Sequence, residues 1–372
     1  MNVVLLLPEF EEGGVERHVL WLAQGLSRRG LGVTVISRGG KLVGELPEKV
    51  THVALPVHAK NPVTAVTAAL RIARMARRGE FHLLHAHSRV PAFVAWWASS
   101  LSGIPWIMTC HARYSKNAGL LPLRRADGAI CVSETVQNHL QGLLPERTAV
   151  IPGGIPPLAS RRERVPLLRG EGPFSREIGA EGPDPEPCGD VPRMCRLLFV
   201  GRLTRVKGIA FLLDLLTKED LSGRSWLLDI VGDGPLRNEL FRLVSEKGMA
   251  TRVTFHGFRE DVESFLARCD CLLFPSLDEG MGLVLAQALT AGIPVLASDL
   301  PAVRELVADA DPLVPAGDAD AWSSRLRRGF DEGVFPVLAA RRTFSLDEMC
   351  DRTVTFYDTV LSPREKREIR TE

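Results

Sequence analysis

Twice along this chain, short apolar runs alternate with longer stretches of helical periodicity, and a region rich in Pro, Gly and charge separates the two series. In the first half the runs fall near Asn2 to Leu7, Gly32 to Ser37, His52 to Leu55, Leu83 to His85, Pro105 to Cys110, Gly128 to Val132 and Ala149 to Ile151. In the second they fall near Arg196 to Val200, Leu227 to Val231, Arg252 to His256, Asp270 to Phe274 and Pro294 to Ala297. Strands spaced by helices make parallel sheets, because a crossover helix returns the chain to the start of the next strand. The pattern predicts two doubly wound α/β domains, over 1–156 and 196–340, with a linker over 157–195. At 372 residues and 45% apolar, the chain has material for two cores.

Composition removes several classes. A net charge of +1 gives no general attraction to nucleic acid or to an anionic bilayer. Seven cysteines form neither a paired framework nor a metal-type spacing, which fits a reduced, cytoplasmic setting. The apolar start, Met1 to Leu7, lacks a basic flank and ends at Pro8 before acidic residues, so it reads as a first buried strand and not as a signal peptide. Val90 to Thr109 is interrupted by Ser99, Ser100, Ser102, Gly103 and Pro105, a helix, turn and strand and no membrane span.

The chemistry concentrates at strand ends. After Cys271 to Pro275 comes Asp278-Glu279-Gly280-Met281-Gly282-Leu283-Val284, and helix is predicted from Leu283 to Ala291. Gly280 and Gly282 allow close backbone approach, and the first amides of the helix, at Leu283 and Val284, form an anion site. Gln287 follows about 7 Å along the axis, roughly the distance from a diphosphate to its ribose. A second strand-to-helix loop, Gly201-Arg202-Leu203-Thr204-Arg205-Val206-Lys207-Gly208, carries a forked guanidinium at Arg202 and a mobile ammonium at Lys207, suited to a diphosphate leaving group. Gly13-Gly14 precedes a helix predicted from Val15 to Leu26, and its backbone is free to approach a phosphate or a sugar. His111 ends the strand at Thr109-Cys110. His85 and His87 share one face of an extended segment, but no carboxylate or cysteine is spaced to complete a metal site with them.

The order and spacing of these elements resemble family 4 of the retaining glycosyltransferases, which have the GT-B fold. The resemblance runs from Val200-Gly201-Arg202 and Lys207-Gly208 through Val231-Gly232-Asp233-Gly234-Pro235, Val253 to Phe258, Phe274-Pro275-Ser276 and Glu279 to Gly292-Ile293-Pro294-Val295. In the first half it includes Gly13 to Glu16, Ala86 to Arg89, Thr109-Cys110-His111, Cys131-Val132-Ser133 and Val150 to Ile155. It implies two Rossmann-like domains facing a cleft, the first for the acceptor and the second for the nucleotide sugar. It also implies a terminal helix in 341–372, from Leu346 to Val360, crossing back onto the first domain.

By this resemblance a hexose moves from a UDP- or GDP-linked sugar to a hydroxyl of a glycan or glycolipid, with the anomeric configuration retained and no metal cofactor. Arg202 and Lys207 neutralise the leaving phosphate, while Glu279 and His111 meet the transferred sugar. Gly14, Gly232, Gly257, Phe258, Gly280, Met281, Gly282, Leu283, Val284 and Gln287 line the donor. His87 to Ala92 and Thr109 to Tyr114 look most like enzymes that extend lipopolysaccharide or other envelope glycans. For such an acceptor, Arg71, Arg74, Arg77 and Arg78 on a helix from Val63 offer a basic stripe for peripheral contact with the inner face of a membrane. The competing reading is a catalytically weakened relative that binds a nucleotide sugar as a sensor or partner. The spacing of Gly232-Asp233-Gly234-Pro235 is wrong for a pyrophosphate fingerprint and argues against a dinucleotide oxidoreductase.

One departure is testable. The family carries Glu, seven residues, then Glu, whereas here Glu279 is followed by Gln287. An amide offers a ribose one acceptor oxygen without charge assistance, a loss of about 1 kcal/mol. Gln287→Glu is expected to tighten nucleotide-sugar binding about tenfold by calorimetry; an unchanged or weaker dissociation constant removes residue 287 from the ribose site.

Overall fold

The apolar run after Met1 forms β1 (Asn2–Leu6), with Val3 to Leu6 wholly buried and a parallel neighbour hydrogen-bonded on each side. A strand covered on both faces keeps an unbroken apolar run and not an alternating one, which is why β1 is legible as sequence. The computed structural model describes residues 1–11, 13–59, 61–157, 194–218, 221 and 224–362. The predicted linker therefore lies almost wholly outside the described residues.

Two units emerge. One comprises residues 1–157, Glu279–Leu283 and the chain from Arg342; the other takes in the chain up to Asp278 and Val284–Arg341. In the first, β1 joins β2 (Gly32–Ser37), β3 (Val50–Ala54), β4 (Leu83–Ala86), β5 (Trp106–Cys110), β6 (Gly128–Cys131) and β7 (Thr148–Val150). The sheet runs β3-β2-β1-β4-β5-β6-β7, all parallel, and its order reverses between β1 and β4. In the second, β8 (Cys195–Val200), β9 (Trp226–Val231), β10 (Val253–Gly257), β11 (Cys271–Phe274), β12 (Val295–Asp299) and β13 (Val314–Pro315) run β10-β9-β8-β11-β12-β13, reversing between β8 and β11. Ligands of such sheets sit beyond the carboxyl ends of the strands at the reversal.

Trp226, Trp322, Leu212 and Ile230 anchor the core of the second unit. The two-residue strand β13 has no apolar run behind it and was not predicted. Asp299 ends β12 and forms an ion pair with Arg304, and Leu300 takes the capping position of the short helix Pro301–Arg304.

The terminal helix Leu346–Leu361 belongs to the first unit, as the resemblance implied. Ser345 Oγ accepts from the Glu348 amide at 3.3 Å to start it. Leu346, Met349, Cys350, Thr353, Phe356, Tyr357 and Val360 form its buried stripe. It packs on the helix Gly14–Arg28 at Gly25, where a Cβ would come within 2.2 Å of Cys350 Sγ. Arg29 donates to Asp351 at 2.7 Å and to Asp347 at 3.2 Å, but those carboxylates are mostly exposed, and the apolar stripe carries the docking.

The most apolar sequence stretch folds as a helix, Arg89–Ser102, and the strand β5. Among the described residues no helix is long and apolar enough to cross a membrane.

Candidate active site

At the reversal of the first sheet the strand ends deliver histidines. His85 lies in β4, His87 just past it, and His111 just past β5; His18 comes from the first turns of the helix Gly14–Arg28. Rings of His18 and His111 meet edge to face at 4.8 Å, and those of His85 and His87 lie 4.1 Å apart. His87 Nδ1 is 3.1 Å from His111 Nε2. His85 is held separately, its Nε2 2.6 Å from Thr109 Oγ1 and its Nδ1 2.7 Å from the Tyr357 hydroxyl of the terminal helix. His18, His85 and His87 are buried and His111 is half-buried.

His18 was missing from the sequence reading. Its signal was its place five residues after Gly13, one turn into an amphipathic helix, on the face that also buries Leu22 and Leu26. With it, His18, His87 and His111 offer one ring nitrogen each within 4.8 Å of one another, a set of metal-ligand type. Bonds of about 2.0–2.1 Å to one ion need a tighter grouping, and the contact between His87 and His111 would have to break to form them.

The segment Glu279–Leu283 is pressed against this cluster. A Cβ on Gly280 would stand 1.9 Å from the His111 carbonyl oxygen, so residue 280 has to be glycine. Ser133 Oγ donates to the Gly280 carbonyl at 2.6 Å while accepting from the Val136 amide at 3.2 Å, capping its own helix as it grips the loop. The Gly153 amide donates to Met281 Sδ at 3.0 Å, and the Gly154 amide donates to Met349 Sδ at 3.0 Å. Gly14 is exposed at its helix start, and a Cβ there would meet Leu283 Cδ1 at 3.9 Å. Gly14, His111, Glu279, Gly280, Met281, Gly282 and Leu283 thus belong to one unit.

Arg202, Lys207, Gly232, Gly257, Phe258, Val284 and Gln287 belong to the other. The loop after β8 ends at Gly208, whose φ of 69° is left-handed and whose Cβ would lie 2.0 Å from the Pro275 carbonyl oxygen. The Leu277 amide donates to the Val206 carbonyl at 2.7 Å. These two contacts join the loop after β8 to the loop after β11 across the reversal of the sheet. Arg202 is exposed, and Lys207 is half-buried with its ammonium 5.9 Å over the Phe274 ring. Gly232 has a protein partner for its lack of side chain: a Cβ would meet the Gly201 carbonyl oxygen at 2.1 Å, and its amide donates to Gly257 at 2.7 Å. Gly257, with φ of 63°, turns the chain at the end of β10 into Phe258. Gln287 is buried in the helix Leu283–Thr290.

Two family models match the chain: residues 195–331 match Glycosyl transferases group 1, and residues 12–157 match Glycosyltransferase Family 4. The phosphatidyl-myo-inositol mannosyltransferase of Mycolicibacterium smegmatis is 30% identical over 84% of this chain and 80% of its own length. The lipopolysaccharide glucosyltransferase WaaG of Escherichia coli (strain K12) is 33% identical over 47% of this chain and 43% of its own. Among solved structures, Anabaena HepE in complex with UDP and glucose has a TM-score of 0.75 at 18% identity, covering 96% of this chain and 100% of the other.

Burial sets the charge of the histidine cluster. It pushes His18 down to about 4 and, aided by repulsion from His18, His85 down to about 3; His87 and His111 are held well below 6.5 by burial first and by their neighbours second. The unfolded chain, with ordinary histidines near 6.5, takes up protons that the fold refuses. Stability is therefore full above that value and falls as pH drops from 6.5 toward the folded values near 4 and 3. Each pH unit in that window costs about 1.4 kcal/mol per histidine. The melting temperature is expected to be flat above neutrality and to fall steeply on acidification, with a shallower slope in His18→Asn; a flat profile through the window contradicts neutral burial.

Proposed function

The chain belongs to glycosyltransferase family 4, the group 1 retaining enzymes, and from that premise we propose that it moves a hexose from a UDP- or GDP-linked sugar to a hydroxyl of a cell-envelope glycan or glycolipid. The observation that supports this reading most is the joined pair of loops after β8 and β11. Left-handed Gly208 on Pro275, with Leu277 bonded to Val206, sets the cationic Arg202–Lys207 loop beside the chain that leads into Glu279 and the helix Leu283–Thr290. On this reading the diphosphate takes as its ligands the two side-chain cations and the helix start, whose dipole favours anions.

In the reaction, negative charge grows on the β-phosphate as the anomeric bond loosens. Arg202, Lys207 and the amides of Leu283 and Val284 stabilise that charge directly, with no step assigned to a metal. Gln287 pairs with the ribose, and the turn at Gly257 and Phe258 borders the base. Glu279 and His111 bind hydroxyls of the transferred sugar, with Gly14, Gly280, Met281 and Gly282 supplying backbone close to it; Gly232 supports the loop of Arg202 from beneath. The sensor reading keeps the binding groups and drops turnover.

A lipid-linked acceptor has separate support. One relative is named for action on phosphatidyl-myo-inositol and another for action on lipopolysaccharide. On the helix Pro62–Arg77, Val63, Val66 and Leu70 are 71%, 42% and 48% exposed beside exposed Arg71, Arg74 and Arg78. Apolar residues flanked by arginines suit a headgroup boundary. Arg77 is engaged with the Leu101 carbonyl, which leaves the other three for phosphate. The protein then works at the cytoplasmic face of a membrane.

Two measurements check these readings. A panel of UDP- and GDP-sugars is expected to raise the melting temperature and to be hydrolysed slowly, with Arg202→Ala lowering turnover about 10²–10³-fold at unchanged fold stability; stabilisation without hydrolysis selects the sensor, and no response to any nucleotide sugar ends the proposal. Co-sedimentation with vesicles containing phosphatidylglycerol is expected to exceed that with neutral vesicles and to fall more than about tenfold when Arg71, Arg74 and Arg78 are replaced by Glu; equal binding to both vesicle types removes the membrane role.

A further inference from the structure

His87 is wholly buried, its Nδ1 lies 3.1 Å from His111 Nε2, and its own Nε2 is enclosed without a partner among the described residues. Both rings are held neutral, so each carries one N–H and one lone pair. Two proton arrangements satisfy the contact. If His111 Nε2 donates, the His87 proton must sit on Nε2, an N–H sealed from water with nothing to accept it. If His87 Nδ1 donates, the enclosed Nε2 is a bare lone pair. Buried N–H groups left without an acceptor are rarer in folded proteins than buried acceptors left without a donor. The second arrangement therefore prevails, and its consequence passes to His111: with the Nε2 lone pair taken, the proton of that ring is on Nδ1. His111 is half-buried, and its Nδ1 makes no hydrogen bond among the described residues.

We propose that His87 is a positioning residue that fixes His111 as its Nδ1–H tautomer, so that His111 meets its substrate as a hydrogen-bond donor and not as a base. The surrounding rings hold both planes in place. The His85 ring lies against His87 at 4.1 Å, tilted by 35°, and is itself anchored by Thr109 and Tyr357, while His18 abuts His111 edge to face at 4.8 Å. The identity of the oxygen that receives the Nδ1 proton, a hydroxyl of the transferred sugar, rests on the function proposed above. The tautomer itself does not.

The direct test is a long-range 15N–1H correlation spectrum of the full chain labelled at histidine, without nucleotide sugar, at a pH where all four rings are neutral, with signals assigned from His87→Asn and His111→Asn. The expected result is a proton on His111 Nδ1 and on His87 Nδ1. A proton on His111 Nε2 overturns the proposal whatever the enzyme transfers, whereas failure to turn over any nucleotide sugar counts only against the function. Kinetics supply the second readout. His87→Leu is expected to lower kcat about tenfold with little change in the KM for the nucleotide sugar, and His87→Asn, whose side-chain amide can donate from the place of Nδ1, to regain most of it. Equal losses in the two variants overturn the donor role, and should the Leu variant not fold, the spectrum decides alone. Added Zn2+ that raises the melting temperature of the wild type and not of His18→Ala would make the trio a metal site and likewise overturn the proposal.

Discussion

The carbonyl oxygen of His111 stands where any side chain at position 280 would have to be, and the first half of the site depends on that backbone-to-backbone approach. Only glycine lets the segment Glu279–Leu283 lie against the end of β5, and Ser133 then fixes it through the Gly280 carbonyl. Met281 and Leu283 follow over Gly153, where a side chain would collide with Leu283 and crowd Met281, while Leu283 also lies within ordinary contact of Gly14. The second unit uses the same device at Gly208 against Pro275 and at Gly232 against Gly201. In the second sheet the approach of Gly208 lies where the strand order reverses, and in the first that of Gly280 lies one strand beyond the reversal, so topology selects the neighbourhood and missing side chains allow loops to converge there.

Four histidines in one cluster, three buried and one half-buried, could not all be charged, and their surroundings keep them uncharged. Neutrality converts an electrostatic liability into a set of directional groups, each with one donor and one acceptor. Thr109 and Tyr357 occupy both nitrogens of His85, which makes it scaffolding for the His87 ring lying against it. The terminal helix thereby contributes a hydroxyl to the cluster in addition to the apolar stripe that docks it.

Much of the architecture could be read from the chain because buried parallel strands leave continuous apolar runs. The strand expected from Gly32 to Ser37 has the observed bounds, and the other expected strands shift by one or two residues. What escaped were features without periodicity: β13, which has two residues, and the 3-10 turns Lys41–Glu45 and Ala118–Arg125. The glycines at 208, 232 and 280 were visible as punctuation, but which carbonyl each one faces is a tertiary fact. His85, His87 and His111 were noticed singly. Their assembly depends on strand order, since β1, β4 and β5 are neighbours only in the folded sheet, and His18 joins them through the helix that follows β1.

Gly153 and Gly154 each give their amide to a methionine sulfur, Met281 in one returning segment and Met349 in the other. A thioether is a weak, polarizable acceptor on an adaptable side chain. Both distant stretches of chain are therefore fastened to the first unit at adjoining residues by soft ties. Oxidation of either sulfur to the sulfoxide would put a strong, rigid dipole into a space shaped for a compliant one, coupling the seating of both segments to the same chemical insult.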